Sequence, residues 1–220
     1  IFTERSVADE IGDDPIDFNI QRLGLWLRYN LKSAISRTEW DELKVDALPK
    51  LTGRLYAGIK FSTDGTSCAL AVACRTKENK IFVEAIACRP TRTGSGWLLD
   101  FLSKADLAAV AVDGASGQQL LADAMKAARI KAPVLPTVKQ IITANAAFEQ
   151  AVFARSLCHA GQPGLTQAAS NCEKRAIGSN GGFGYRSLTA GGHIELLDSV
   201  ILAHWQCAEG KAKRRQRTSY

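Results

Sequence analysis

Residues 54–88 contain three apolar runs of strand length separated by two short polar turns, and this arrangement restricts the possible folds most strongly. The three runs are Arg54–Phe61, Cys68–Cys74 and Ile81–Cys88. Residues 63–66 read Thr-Asp-Gly-Thr, a composition typical of turns, and residues 77–80 read Lys-Glu-Asn-Lys and are entirely polar. Such short connections can join only antiparallel neighbours, since parallel strands need a long crossover. The sequence therefore predicts an antiparallel meander of three strands.

After the meander, apolar positions recur alternately at helical and at strand spacing. The predicted helices are Gly96–Lys104, Gly117–Ala128, Thr143–Ser156 and Ile194–Ala208, and the predicted strands are Leu107–Val112 and Val134–Pro136. The glycine-rich stretch 161–192 is predicted as loop and hairpin. Apart from one additional helix near its end, this order resembles the β-β-β-α-β-α-β-α order of the RNase H-like fold. We expect an α/β protein whose mixed sheet, a three-strand antiparallel meander plus parallel strands, is flanked by helices.

The ends of the chain differ in composition from its middle. Residues 1–48 lack strand signals and are predicted to be a connecting arm, residues 49–210 the folded domain and residues 211–220 a basic tail. Net charge is +6, and much of the excess lies in this tail, which fits either a phosphate-binding segment or simply a solvated terminus. Because the chain begins with Ile1 and contains a single Met, we expect it to be part of a longer protein.

Composition excludes some classes of protein. No apolar run reaches the ~18 residues that a membrane span needs, so no membrane partner is expected. The six cysteines lack the spacing of zinc fingers and form no C-x-x-C pair. We expect them to be reduced structural thiols of a cytoplasmic protein.

Two acidic residues stand where catalytic carboxylates are expected. Asp113 directly follows the apolar strand Leu107–Val112, and Asp198 lies within the apolar final helix. An acid at the carboxyl end of a strand points into the crevice where open α/β sheets bind ligands. Carboxylates that converge from separate elements can hold the two divalent ions used in phosphodiester hydrolysis. Taken singly, each residue fits equally well as a turn, cap or surface aspartate.

Several segments together resemble the nuclease domain of the large terminase of tailed bacteriophages. They are Tyr56–Ser62 with Asp64 and Cys68–Val72, Ala111–Asp113, Leu157–His159 with Arg175, and Ile194–Trp205, preceded by the arm segment Phe18–Trp26. Each motif is weak alone, but their order and spacing are more specific. No G-x-x-x-x-G-K-[ST] motif occurs, so the resemblance covers the nuclease and leaves out the ATPase motor that the family carries in the same polypeptide.

The resemblance implies a metal-dependent endonuclease that cuts concatemeric viral DNA during genome packaging. Asp113 and Asp198 would be catalytic and would bind Mg²⁺ or Mn²⁺ in a two-metal site. Asp64 matches a second acid that many relatives have near the first, although an Asp-Gly pair also suits a simple turn.

Lys60 departs from the family pattern because it occupies the position of the first metal-binding aspartate. An ammonium group cannot bind Mg²⁺, but it can hold the two aspartates together as a salt bridge. We therefore expect poor metal binding and weak or absent cleavage. The alternatives are a non-catalytic DNA-binding or motor-docking module, an alignment in which Asp64 is the first acid, and another RNase H-like nuclease such as a junction resolvase.

The resemblance also implies partners and a location. Double-stranded DNA would be contacted mainly through its phosphates. The candidate DNA-binding residues are Arg175, Arg186, Lys174, Lys139, Arg214 and Arg215. The protein partners would be the ATPase motor, the portal and the small terminase subunit, and the place of action the viral procapsid in the host cytoplasm.

Overall fold

The computed structural model describes residues 33–178 and 181–210. Its strands are β1 (Leu51–Phe61), β2 (Ser67–Thr76), β3 (Ile81–Pro90), β4 (Leu107–Asp113), β5 (Leu157–His159), β6 (Cys172–Ile177) and β7 (Gly182–Ser187). Its helices are α1 (Arg37–Asp41), α2 (Gly96–Lys104), α3 (Gln118–Ala127), α4 (Val138–Phe153), α5 (Pro163–Ser170) and α6 (Ile194–Glu209).

The main sheet has five strands in the order β4-β1-β2-β3-β5. The meander β1-β2-β3 is antiparallel, whereas β4 pairs in parallel with β1 and β5 in parallel with β3. The strands β6 and β7 form a separate antiparallel hairpin. The predicted fold class, a mixed sheet flanked by helices, is confirmed.

The prediction of a strand at Val134–Pro136 is wrong. Val134 makes only an isolated parallel bridge to Ala111, and the fifth strand of the sheet is β5 instead. Pro133 and Pro136 flank this bridge and lack the backbone N–H that a longer ladder needs.

Two helical segments also differ from their predictions. Helix α4 begins at Val138 rather than Thr143, because Thr137 and Gln140 form a reciprocal capping box ahead of it. Helix α5 lies inside the stretch predicted as loop and hairpin, and it begins with Pro163, a residue well suited to a first helical position. The helix was not predicted because the stretch around it is rich in glycine, which is typical of loops.

The sheet separates two apolar layers. Helices α2 and α3 cover one face through buried residues such as Leu98 and Leu121. Helix α6 packs on the other face against β1, β2 and β3, where α4 and α5 join it. Because α6 is enclosed on nearly all sides, most of its residues are buried. All six cysteines are buried and free, as predicted for structural thiols.

The described end of the predicted arm belongs to the same apolar core as α6. Ile35, Trp40 and Leu43 are buried there, and the Trp40 ring stacks on His159 at a centroid distance of 4.2 Å. The arm segment Phe18–Trp26 and the basic tail lie outside the described residues, so the proposed domain boundaries stay predictions. Within the described part of the chain, no helix is both long and apolar enough to span a membrane.

Burial of His204 in α6 predicts a dependence of stability on pH. Its ring packs edge-on against Phe148, and its pKa is lowered to about 4, chiefly by desolvation and then by the charge of Arg75. The unfolded chain protonates this residue near its ordinary pKa of about 6.5. As the pH falls from 6.5 to 4, the unfolded state therefore binds more protons, and stability is lost by up to roughly 3 kcal/mol.

Chemical denaturation between pH 4 and 7.5 checks this expectation. The His204→Gln variant should lose less stability over this range than the unmodified chain. His159, His193 and the other titratable groups are the same in both proteins, so the difference between the two curves isolates His204. Parallel curves would contradict the expectation.

Candidate functional site

The centre of the candidate site is an ion pair between neighbouring strands. Lys60 on β1 and Asp113 on β4 are register partners in the parallel pairing, which places their side chains next to each other. The Lys60 ammonium group donates to Asp113 Oδ2, and the side chains are 16% and 15% exposed. Both residues lie at the carboxyl end of their strands, as expected for a ligand-binding edge of an α/β sheet.

Helix α6 brings the third predicted residue to the same place. Asp198 is partly buried and lines one cleft with Lys60 and Asp113. The pKa of Asp198 is raised to about 6, chiefly by desolvation. The positive charges of Lys60 and Arg175 lower this pKa, and the negative charge of Asp113 contributes to raising it. The structure therefore brings together the three residues that the sequence singled out, although they are far apart along the chain.

The hairpin and α4 complete the cleft with residues that sequence analysis missed. Tyr185 and Asn145 line it, and within the described residues neither the Tyr185 hydroxyl nor Asn145 Oδ1 has a hydrogen-bond partner. Desolvation, with the nearby acids, raises the pKa of Tyr185, so the phenol remains protonated and able to donate. Unpaired buried polar groups are uncommon, and both of these atoms are shielded from solvent in this structure. No local sequence signal distinguishes these two residues.

The side chains of the cleft do not fit a pair of divalent ions. A two-metal site needs several converging oxygen ligands, whereas this cleft offers two aspartates and an ammonium group bound to one of them. Among the described residues, the one group of three potential ligands close enough to hold a metal ion lies elsewhere and contains neither aspartate. Lys60 thus supplies positive charge where the resemblance implies metal.

Asp64 is not among the residues that line the cleft. Its Oδ1 accepts hydrogen bonds from Ser62 Oγ at 2.7 Å and from the Thr66 backbone N–H and hydroxyl at 3.0 and 2.8 Å. These hydrogen bonds lower the pKa of Asp64 to about 2, and the bond from Ser62 has the largest effect. Its observed contacts are those of a turn residue, and its participation in metal binding stays a prediction.

The candidate DNA-binding residues have different surroundings. Arg175 lines the cleft and its Nε donates to the Tyr185 carbonyl, whereas Lys139 is exposed in the first turn of α4. Lys174 and Arg186 are paired with Glu149 and Glu173 at 2.6 and 2.7 Å. Arg214 and Arg215 lie outside the described residues. Of the four candidates that the structure describes, Arg175 is therefore the one that lines the cleft with Asp113 and Asp198.

Comparison with known proteins supports the fold. No family model matches the sequence, and no curated protein does. Among solved structures, the large terminase of bacteriophage HK97 matches with a TM-score of 0.60 and 17% identity over 93% of this chain and 50% of that one. The large terminase nuclease domain of Thermus phage P74-26 matches with a TM-score of 0.51 and 16% identity over 80% and 96% of the two chains.

A third match is the large terminase nuclease of thermophilic phage G20c with bound magnesium, at a TM-score of 0.52 and 14% identity over 79% of this chain and 98% of that one. The present chain spans about half the length of the HK97 protein and most of the length of the two nuclease domains. At these identities the likeness concerns the fold, which is that of large terminase nuclease domains.

Proposed function

We propose that this chain is the nuclease domain of a protein that packages viral DNA, and that Lys60 impairs its cleavage activity. The observation that carries the proposal is the convergence of Lys60, Asp113 and Asp198 in one cleft of a terminase nuclease fold. The substrate would be concatemeric double-stranded DNA. The ATPase motor of the same protein, the portal and the small terminase subunit would be its partners, at the procapsid in the host cytoplasm.

Charge supports a role of the cleft in contacting a DNA strand. Lys60 and Arg175 provide positive charge beside the two aspartates. A phosphodiester backbone carries one negative charge per nucleotide and accepts hydrogen bonds at its free oxygens. Contact of this kind does not depend on the base sequence.

The predicted impairment follows from the ion pair. The G20c nuclease was solved with bound magnesium, and we infer that cleavage by this chain would likewise need a divalent ion. In this chain the Lys60 ammonium group is bound to Asp113, and a cation bound there would have to displace it against charge repulsion. A carboxylate at residue 60 would remove the repulsion and add an oxygen ligand.

The same ion pair favours a second candidate, a DNA-binding or motor-docking module that does not cleave. In that case the Lys60–Asp113 pair would be a structural replacement for bound metal. The two candidates differ in whether activity is recovered when residue 60 becomes acidic.

Cleavage of supercoiled plasmid by the unmodified chain and by Lys60→Asp, with Mg²⁺ and with Mn²⁺, tests the proposal. We expect Lys60→Asp to cut at least roughly 100-fold faster, the size of effect that electrostatic groups in active sites commonly have. Adding Asp113→Ala or Asp198→Ala to this variant should abolish the gain. Adding Asp106→Ala should leave it unchanged, because Asp106 is a surface carboxylate paired with Arg54.

Failure of Lys60→Asp to cut with either ion would contradict the nuclease proposal for this chain. Binding of duplex DNA that weakens with rising salt and with Arg175→Ala would then support the non-catalytic module. Equal cleavage by the unmodified chain and by Lys60→Asp would contradict the impairment instead.

A further inference from the structure

A second cluster of potential metal ligands lies where β3 ends and α6 begins. It consists of Cys88 on β3, His193 just before α6 and Glu195 in the first turn of α6. Cys88 Sγ is 3.8 Å from His193 Nδ1 and 3.5 Å from Glu195 Oε1, and the last two atoms are 2.8 Å apart. None of the three lines the cleft of Lys60 and Asp113.

These distances are close to those of a tetrahedral zinc site. With Zn–S near 2.3 Å and Zn–N and Zn–O near 2.1 Å, the ligand atoms lie roughly 3.4–3.6 Å apart. The two distances from sulfur already agree to within about 0.2 Å of this range. His193 Nδ1 and Glu195 Oε1 would have to separate by about 0.6 Å, and the His193 side chain is exposed enough, at 45%, to allow this movement.

The ligand types select a transition metal over magnesium. Thiolate and imidazole are the ligands that Zn²⁺ prefers, whereas Mg²⁺ prefers oxygen. A Cys88 thiolate and a Glu195 carboxylate would also balance the charge of a divalent ion with neutral His193. This balance offsets the positive end of the α6 dipole, which by itself disfavours a cation.

Neighbouring groups are arranged as they are around bound metals. Ser67 Oγ on β2 donates to Glu195 Oε1 and so fixes the orientation of the carboxylate. Cys88 and Glu195 are buried, whereas His193 faces a crevice that Gly191 and Gly192 also line. An ion held by the three side chains would therefore take its fourth ligand from water in this crevice, as open zinc sites do.

From this geometry we infer that Cys88, His193 and Glu195 bind one transition metal ion, with Zn²⁺ the best fit and water as the fourth ligand. Binding replaces the Cys88 thiol proton, which leaves to solvent, with a metal–sulfur bond. The ion ties β3 to the start of α6, the helix that carries Asp198. The inference does not depend on DNA cleavage.

Cobalt titration of the full chain tests this site, because Co²⁺ occupies zinc sites and reports sulfur ligation in its absorption spectrum. We expect a near-ultraviolet sulfur-to-cobalt charge-transfer band that saturates at one ion per chain and disappears when Zn²⁺ is added. Cys88→Ser should abolish the band. Cys158→Ser should retain it, since Cys158 is equally buried but lies beside β3 at the opposite end of the sheet.

Zinc affinity, measured by competition with a chromophoric chelator, gives a second readout. Partners outside the ligand shell already change metal affinity by about 10–100-fold, so we expect His193→Ala to weaken binding by more than roughly 100-fold. The exposed His193 can be replaced without opening the core, and circular dichroism can confirm that the variant is folded. Absence of the cobalt band, its persistence in Cys88→Ser, or unchanged zinc affinity in His193→Ala would overturn the inference.

Discussion

Replacing Gly58 by alanine is expected to destabilise this protein by about 3 kcal/mol, the upper end of the usual cost of overpacking a core and a large fraction of the usual stability of a domain. A Cβ atom at Gly58 would lie 2.1 Å from the Ser199 carbonyl oxygen and 2.5 Å from the Ala203 backbone nitrogen of α6. These neighbours belong to the backbone and cannot rotate away as a side chain can. The whole helix would have to move off β1 and open the core.

Thermal and urea denaturation measure this effect, and Gly96→Ala is the matched control. At Gly96, the first residue of α2, an added Cβ meets no atom within 4 Å. Because alanine is the better helix former, Gly96→Ala should be neutral or stabilising by up to about 1 kcal/mol. A Gly58→Ala variant as stable as Gly96→Ala would show that α6 does not approach β1 as described.

The Lys60→Asp variant is expected to become dependent on divalent ions for its stability. Without metal it would place three carboxylates in one cleft, where Arg175 is the remaining cationic side chain among the described lining residues. Their mutual repulsion should lower the melting temperature below that of the unmodified chain. Addition of Mg²⁺ or Mn²⁺ at about 100 times its dissociation constant should stabilise by about 2.7 kcal/mol, which is roughly 5–10 °C for a domain of this size.

Differential scanning calorimetry with and without each ion checks this second expectation. Lys60→Met is the control, because it removes the ammonium group and adds no oxygen ligand. Both it and the unmodified chain should show little response to Mg²⁺. A large response in Lys60→Met would mean that the two aspartates bind the ion without a third carboxylate, and no response in Lys60→Asp would contradict the proposed site.

Local patterns in the sequence were sufficient for most of the fold. The meander, strand β4 and helices α2, α3 and α6 follow from runs of apolar residues and turn residues that are neighbours along the chain, and such signals do not depend on distant segments. Asp113 and Asp198 could be selected for a related reason, since each carboxylate interrupts an apolar element. The missed start of α4 and the missed helix α5 show the limit of this approach. The Thr137–Gln140 capping box and Pro163 begin these two helices, although the surrounding composition did not indicate a helix there.

Contacts between distant segments were decided only by the tertiary structure. The pairing of Lys60 with Asp113 depends on the register of β1 with β4, and the approach of Gly58 to Ser199 depends on how α6 crosses the sheet. Likewise, the Cys88–His193–Glu195 cluster joins a strand to a helix more than a hundred residues later. The sequence determined which side chains are available, and packing determined which of them meet, because strand register and helix position are set by the whole core and not by any one segment.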